Sequence, residues 1–304
     1  MAHRFATLDV FTDTALTGNP LAVVYDADDL DDKAMQAIAR EFNLSETVFV
    51  TKPAKPMHSA RLRIFTPMGE LPFAGHPTVG TAVLLAMDRA GGAVSSETDL
   101  IVVLEEQVGI VRAAVVLKPD QPGYAIFDVP KQAEQIPGET DRDVIAPALG
   151  LTRHDIGFEN HKPTLYTAGV PFTFVPVHDL ATMRRISIDT AAWDEAFGTT
   201  GHAAAFAYCR ETESKSCQFH ARMFSPGMGI VEDPATGSAA AAFAGVIARF
   251  DSPPDGTHRY AIEQGYEMGR RSIISLEVDF EGGALEATRI GGRAVRVMRG
   301  EIDL

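Results

Sequence analysis

Two seven-residue stretches, HPTVGTA at residues 76–82 and DPATGSA at residues 233–239, repeat one pattern half a chain apart. Pro, Gly and Ala recur in place, Thr81 is matched by Ser238, and the leading residue changes from His76 to Asp233. His and Asp both titrate, so the repeat puts two proton-exchanging groups at equivalent points of two similar segments. Two such groups flanking one ligand are what a proton shift requires, one taking a proton and the other returning it. Proline is tolerated in the first turn of a helix, so each heptad reads as a helix start with His76 or Asp233 at the N-cap. The amides of the following turn then lack intrahelical partners, and each helix end carries about half a positive charge. Gly80 and Gly237 stand about one turn in, where a small residue admits a close ligand or backbone, and Thr81 and Ser238 add hydroxyls nearby. If the two halves face one another, these ends converge on a cleft suited to an anion, and a substrate carboxylate is the simplest candidate. Asp is also an ordinary N-cap, and a buried Pro-led helix accounts for Asp233 without catalysis. The paired change from His to Asp is what favours chemistry.

Positioning these groups falls to the elements around them. The first half reads as strands FATLDVF and LAVVYD about a Thr17-Gly18-Asn19-Pro20 turn, then an amphipathic helix DDKAMQAIAREF opened by Asp31 and Asp32. Strands ETVFVT and ARLRIFT follow, then the apolar helix PTVGTAVLLAM and the hairpin LIVVLEEQVGIVRAAVVL, turning near residues 107–109. The second half offers YAIFDV, TLYTAGVPFTFVPV, HAAAFAYC and QFHARMF before the helix PATGSAAAAFAGVIA, and closes with RSIISLEVDF, EATRI and RAVRVMRGEI. Arg63-Ile64-Phe65-Thr66-Pro67 is mirrored by Arg222-Met223-Phe224-Ser225-Pro226 just ahead of each heptad. A repeat of nearly half the chain means two similarly folded domains rather than a solenoid, whose periods are far shorter. The expected division is residues 1–118, joined by the strands of about 285–304, and residues 119–284, with the join in the Pro- and Gly-containing stretch 118–123.

The 304 residues, 45% of them hydrophobic, suffice for a substantial core. Lys and Arg number 27 against 41 Asp and Glu, a net charge of −14 that disfavours nucleic acid or an anionic membrane as partner. Asp9 arrives before any apolar signal-peptide core, and the longest nearly uncharged stretch, SAAAAFAGVIA, is too short to span a bilayer. A soluble protein of the reducing cytoplasm is expected, and Cys209 and Cys217 match neither a disulfide framework nor a metal spacing. No GxxxxGK loop, strand-GxGxxG-helix unit or HExxH pair appears, so neither a nucleotide nor a metal is implied.

The segments LTGNPLAVV, NLSETVFV, RIFTPMGELPFAGHPTVGTA and ARMFSPGMGIVEDPATGSAAAA, with EQGYEMGR and GGRAVRVMRGEI near the end, closely resemble the phenazine-biosynthesis isomerase (PhzF-like) family. The resemblance runs through nearly the whole chain in the family's order. It implies an α+β fold like that of diaminopimelate epimerase: two pseudo-symmetric domains, each a β-barrel-like sheet wrapped around a central apolar helix. It also implies a homodimer and a cofactor-independent isomerase that moves a proton between carbons of a small carboxylic acid, cyclic and amino-bearing in the family members of known chemistry. Glu46 in SETVF corresponds to the family's catalytic acid/base, and His76, Asp233 and Ser238 match its other active-site positions. Gly75 matches a glycine beside the substrate, and Ser45 joins the expected substrate contacts with Gly80, Thr81 and Gly237. Glu46, Val48 and Val50 share one face under strand alternation, and burial on it would raise the carboxyl pKa toward that of a proton shuttle. Arg271 stands where the family often has Pro, in Gly269-Arg270-Arg271-Ser272 against GRPS. Two alternatives stay open: a carboxylate-binding protein without turnover, and a racemase or epimerase of an amino or imino acid. Related racemases use two thiols, but Cys209 and Cys217 lie well before the second heptad and read as ordinary thiols.

Overall fold

A computed structural model describes residues 2–138, 140–198 and 204–304. The chain is mixed α+β and divides into two compact units, Met1–Pro130 with Ile290–Leu304, and Lys131–Arg289. The first unit contains β1 (Ala2–Val10), β2 (Asn19–Val24), α1 (Asp32–Phe42), β3 (Glu46–Thr51), β4 (Ala60–Phe65), β5 (Glu70–Leu71), α2 (Gly75–Arg89), β6 (Thr98–Glu106), β7 (Gly109–Leu117) and β8 (Gly123–Asp128). The second holds β9 (Glu134–Gln135), α3 (Arg142–Ala148), β10 (Thr164–Thr167), β11 (Pro171–Pro176), α4 (Leu180–Arg185), α5 (Thr190–Trp193), β12 (Ala205–Cys209), β13 (Phe219–Ser225), β14 (Ile230–Asp233), α6 (Gly237–Phe250), β15 (Gly256–Gln264) and β16 (Ser272–Glu281). β17 (Ala284–Asp303) begins in the second unit and ends in the first.

In the first unit the pairing runs β1–β2, β2–β3, β3–β4, β4–β6, β6–β7 and β7–β8, and β17 joins β8 back to β1, so the sheet closes into a barrel. α2 is buried almost throughout and packs on β1, β2, β3, β6, β7 and β8. α1 covers the outside, with Met35, Ile38 and Ala39 set among Val24, Phe49 and Phe65. Its N-cap is Asp31, whose carboxylate accepts from Ala34 N at 2.8 Å, and Asn43 ends it in a left-handed turn.

The second unit repeats the same succession of pairings. Parallel β2–β3, antiparallel β3–β4, parallel β4–β6 and antiparallel β6–β7 correspond to β11–β12, β12–β13, β13–β15 and β15–β16. Here Phe243 of α6 packs edge-on and tilted against Phe174, Phe206, Tyr208 and Phe219. The small helices α3, α4 and α5 carry a second apolar cluster around Met183, Trp193 and Phe197.

Several expectations change. The chain stays in the first unit through β8, because that strand pairs with β7, and leaves only after Pro130. The stretch at 118–123 is the β7–β8 turn, with Asp120 at φ 53°. The closing segment is one continuous strand rather than two, since Gly291 and Gly292 do not interrupt it. A Cβ on Gly291 would meet Ala125 O at 2.7 Å, and one on Gly292 would meet Phe11 Cδ1 at 2.4 Å. These glycines let neighbours approach closely. α3, α4 and α5 lie in a stretch whose apolar spacing signalled no helices. The strand expected at 202–209 is found as β12, its first two residues lying outside the described ones.

Candidate active site

His76 is the second residue of α2, not its cap. Ala74 caps that helix, and Thr78 N makes the first helical bond, to Ala74 O at 3.2 Å. Gly75 and His76 therefore bring amides with no intrahelical acceptor. Glu46 opens β3, level with Leu21 of the parallel β2. Barrel closure brings the two side chains together: His76 Nε2 lies 3.2 Å from Glu46 Oε2, with side-chain exposures of 6% and 13%. Alternation does not account for this burial, because Thr47, Val48 and Phe49 are all buried in succession. Burial pushes the His76 imidazole down to about 3, so it is neutral at ordinary pH. A neutral imidazole against a carboxyl is a pair that can pass one proton between nitrogen and oxygen.

In the second unit the heptad is not yet helix at its leading residue. Asp233 ends β14 opposite Met223, and α6 begins at Gly237 with Thr236 as its cap. A side-chain network holds the turn between them. Thr236 Oγ1 donates to Asp233 Oδ2 at 2.5 Å, Gln264 Nε2 donates to Asp233 O at 2.7 Å, and Thr236 N donates to Gln264 Oε1 at 3.1 Å. The N-cap assignment fails here because this turn is closed by side chains. Asp233 is buried, while Gly237 and Ser238 form the first turn of α6.

Among the other expected contacts, Ser45 is half-buried beside Glu46 and Gly75 opens α2. At Gly80 a Cβ would meet Leu21 Cδ2 and Val10 Cγ2, each at 2.7 Å, so its smallness seats α2 on β1 and β2. Thr81 is fully buried, and its hydroxyl has no hydrogen-bond partner among the described residues. Cys209 and Cys217 are buried, and burial pushes the Cys209 thiol up to about 12 and raises that of Cys217. Neither suits proton abstraction near neutral pH. Arg271 lays its guanidinium 5.1 Å from the Tyr266 ring centre. Among the described residues no group of three or more His, Cys, Asp or Glu side chains could hold a metal ion, and no helix is long and apolar enough to cross a membrane.

Two supports escaped sequence reasoning. Arg63 grips Glu70 with bonds of 2.7 and 2.6 Å, and Arg222 grips Glu232 with two of 2.8 Å. Each fork ties the strand before a heptad to the short strand, β5 or β14, that leads into it, with the planar two-point geometry of Arg and carboxylate. Their signal was present: both arginines belong to the mirrored RIFTP and RMFSP motifs.

The chain matches the family model described as phenazine biosynthesis-like protein over residues 8–300. It is 52% identical to an uncharacterized isomerase of Mesorhizobium japonicum, covering 99% of this chain and 98% of that protein. It is 36% identical to the trans-2,3-dihydro-3-hydroxyanthranilate isomerase of Pseudomonas chlororaphis, over 99% of this chain and all (100%) of the relative. The fold matches the crystal structure of a Bacillus anthracis PhzF-family protein with TM-score 0.88 at 24% identity, covering 100% of both chains. The chain is thus an isomerase and belongs to the phenazine biosynthesis-like protein family.

Proposed function

We propose that the protein moves a proton between carbons of a small carboxylic acid, with Glu46 as principal acid/base and without a cofactor. The Glu46–His76 contact of 3.2 Å carries this reading, because it sets a shielded carboxyl against a neutral imidazole, the two groups a proton shuttle needs. Glu46 takes a proton from one carbon of the substrate, the double bonds shift, and a proton is returned at another carbon. No electrons are gained or lost overall. His76 assists from the first turn of α2, and Asp233 is the titratable counterpart in the second unit. Ser45, Gly75, Gly237 and Ser238 are the proposed substrate contacts. The architecture in this reading is two pseudo-symmetric domains, each a sheet wrapped around α2 or α6, which explains why the heptad is repeated. A ring acid with hydroxyl and amino groups, as in the name of the Pseudomonas chlororaphis relative, is the first substrate to try. Incubated with that dihydro-hydroxyanthranilate in deuterated water, the protein is expected to place solvent deuterium on carbon and convert the isomer. Binding without exchange would leave a carboxylate binder instead.

A further inference from the structure

Glu106, the last residue of β6, is a buried carboxyl that the proposed reaction does not use. Its Oε1 lies 2.9 Å from Thr78 Oγ1, and Thr78 Oγ1 lies 2.8 Å from Ala74 O. A threonine hydroxyl has one hydrogen and Ala74 O is only an acceptor. The two contacts are both hydrogen bonds when Thr78 donates to Ala74 and receives a hydrogen from Glu106. Glu106 Oε2 is buried without a hydrogen-bond partner, which an ionised carboxylate tolerates poorly.

The second unit places a permanently neutral group at the matching point of its sheet, where it meets a threonine one heptad position later, Thr236 opposite Val79. β4 and β6 pair with Ala60 level with Leu104, three residues before Arg63, while β13 and β15 pair with Phe219 level with Ile262, three residues before Arg222. Glu106 and Gln264 thus occupy the same register position behind their heptads. Gln264 Nε2 donates to Thr236 Oγ1 at 3.0 Å, and Thr236 donates on to Asp233. An amide in one unit does what a protonated acid does in the other.

We propose that Glu106 is held as the neutral carboxylic acid and acts as the positioning residue for His76, its O–H fixing Thr78 and with it the first turn of α2. Burial pushes the Glu106 carboxyl up to about 8. Charged groups on the elements packed around β6 are engaged elsewhere or exposed. Arg63 is held by Glu70 and Asp32, His76 lies against Glu46, and Arg89 donates to Ser59. Asp88 accepts from Tyr25, Glu105 pairs with His58, and Arg61, Asp99 and Arg112 are exposed. As pH rises through about 8 the carboxyl ionises, the relay to Ala74 loses its first donor, and the turn bearing His76 loosens.

The role assigned to His76 rests on the proposed function; the protonation of Glu106 does not. Infrared spectra of the whole protein at neutral pH are therefore compared with those of Glu106→Gln. A carboxylic-acid carbonyl band present in the wild type and missing in the variant is expected, and its absence from the wild type would overturn the proposal even if turnover proves absent. Where exchange of substrate protons is observed, Glu106→Gln, which keeps a donor, should retain it and lose the decline above about pH 8. Thr78→Val, which breaks the relay with little change of shape, should slow kcat by about 10- to 100-fold with KM little changed, the scale of a displaced catalytic group. Adding Glu106→Gln to Thr78→Val should cost nothing further. A Glu106→Gln variant as slow as Thr78→Val, or one that keeps the alkaline decline, would contradict the assignment.

Discussion

His76 illustrates what burial does to a single titratable group. Its folded value of about 3 lies below the usual 6.5. Between these values the unfolded chain binds a proton that the folded one does not, so stability is full above 6.5 and is lost as pH falls toward 3. Denaturant midpoints of His76→Asn measured across that range should decline less steeply with acid than those of the wild type. An equal slope would mean that the imidazole is not held neutral. Glu106 acts on the other side: its stabilising contribution is greatest below the ordinary 4.5 and is lost as pH rises through about 8. Burial raises both thiols, so Cys209→Ser and Cys217→Ser should leave isotope exchange near the wild-type rate. Loss of exchange in either would reopen the two-thiol reading. At this scale the sequence shows residue types but not their meetings. Glu46 enters through the family resemblance, because no local spacing reveals that the start of β3 abuts the first turn of α2. Glu106 is visible only once the repeat is extended past the heptads to Glu105-Glu106 and Glu263-Gln264.

Among the elements, the two heptads share a sequence but start their helices differently. HPTVG is helical, whereas Asp233–Thr236 is a turn closed by Gln264 and the Thr236 hydroxyl. Helix propensity cannot distinguish them, since the difference lies in partners from β15 and β6 that are remote in sequence. Gly80 is a sharper case: its spacing fits a ligand contact, but the space it leaves is filled by Val10 and Leu21. Gly80→Ala should overpack α2 against β1 and β2 and cost about 1–3 kcal/mol in thermal or denaturant unfolding. A neutral outcome would mean that the helix seat is looser than 2.7 Å contacts allow. The strands were easier to read, because alternation and turn residues such as Gly282-Gly283 mark their ends directly.

For the whole molecule, the half-chain repeat is legible in RIFTP/RMFSP and the heptads, and the same order of pairings recurs in both units. The point of division is less legible, since β8 is committed to the first unit by pairing with β7, which no composition shift announces. The family resemblance implies a homodimer. Light scattering is expected to give twice the 32.7 kDa of one chain, and a mass near 32.7 kDa would refute it.

The central claim is that the Glu46 carboxyl carries the transferred proton. Glu46→Gln keeps the shape and removes the titration. Deuterium incorporation into the isomerised substrate should then fall by about 10²–10⁴-fold, the usual contribution of general acid/base catalysis, while substrate binding survives. Full exchange in Glu46→Gln, with the wild type active under the same conditions, would contradict the account.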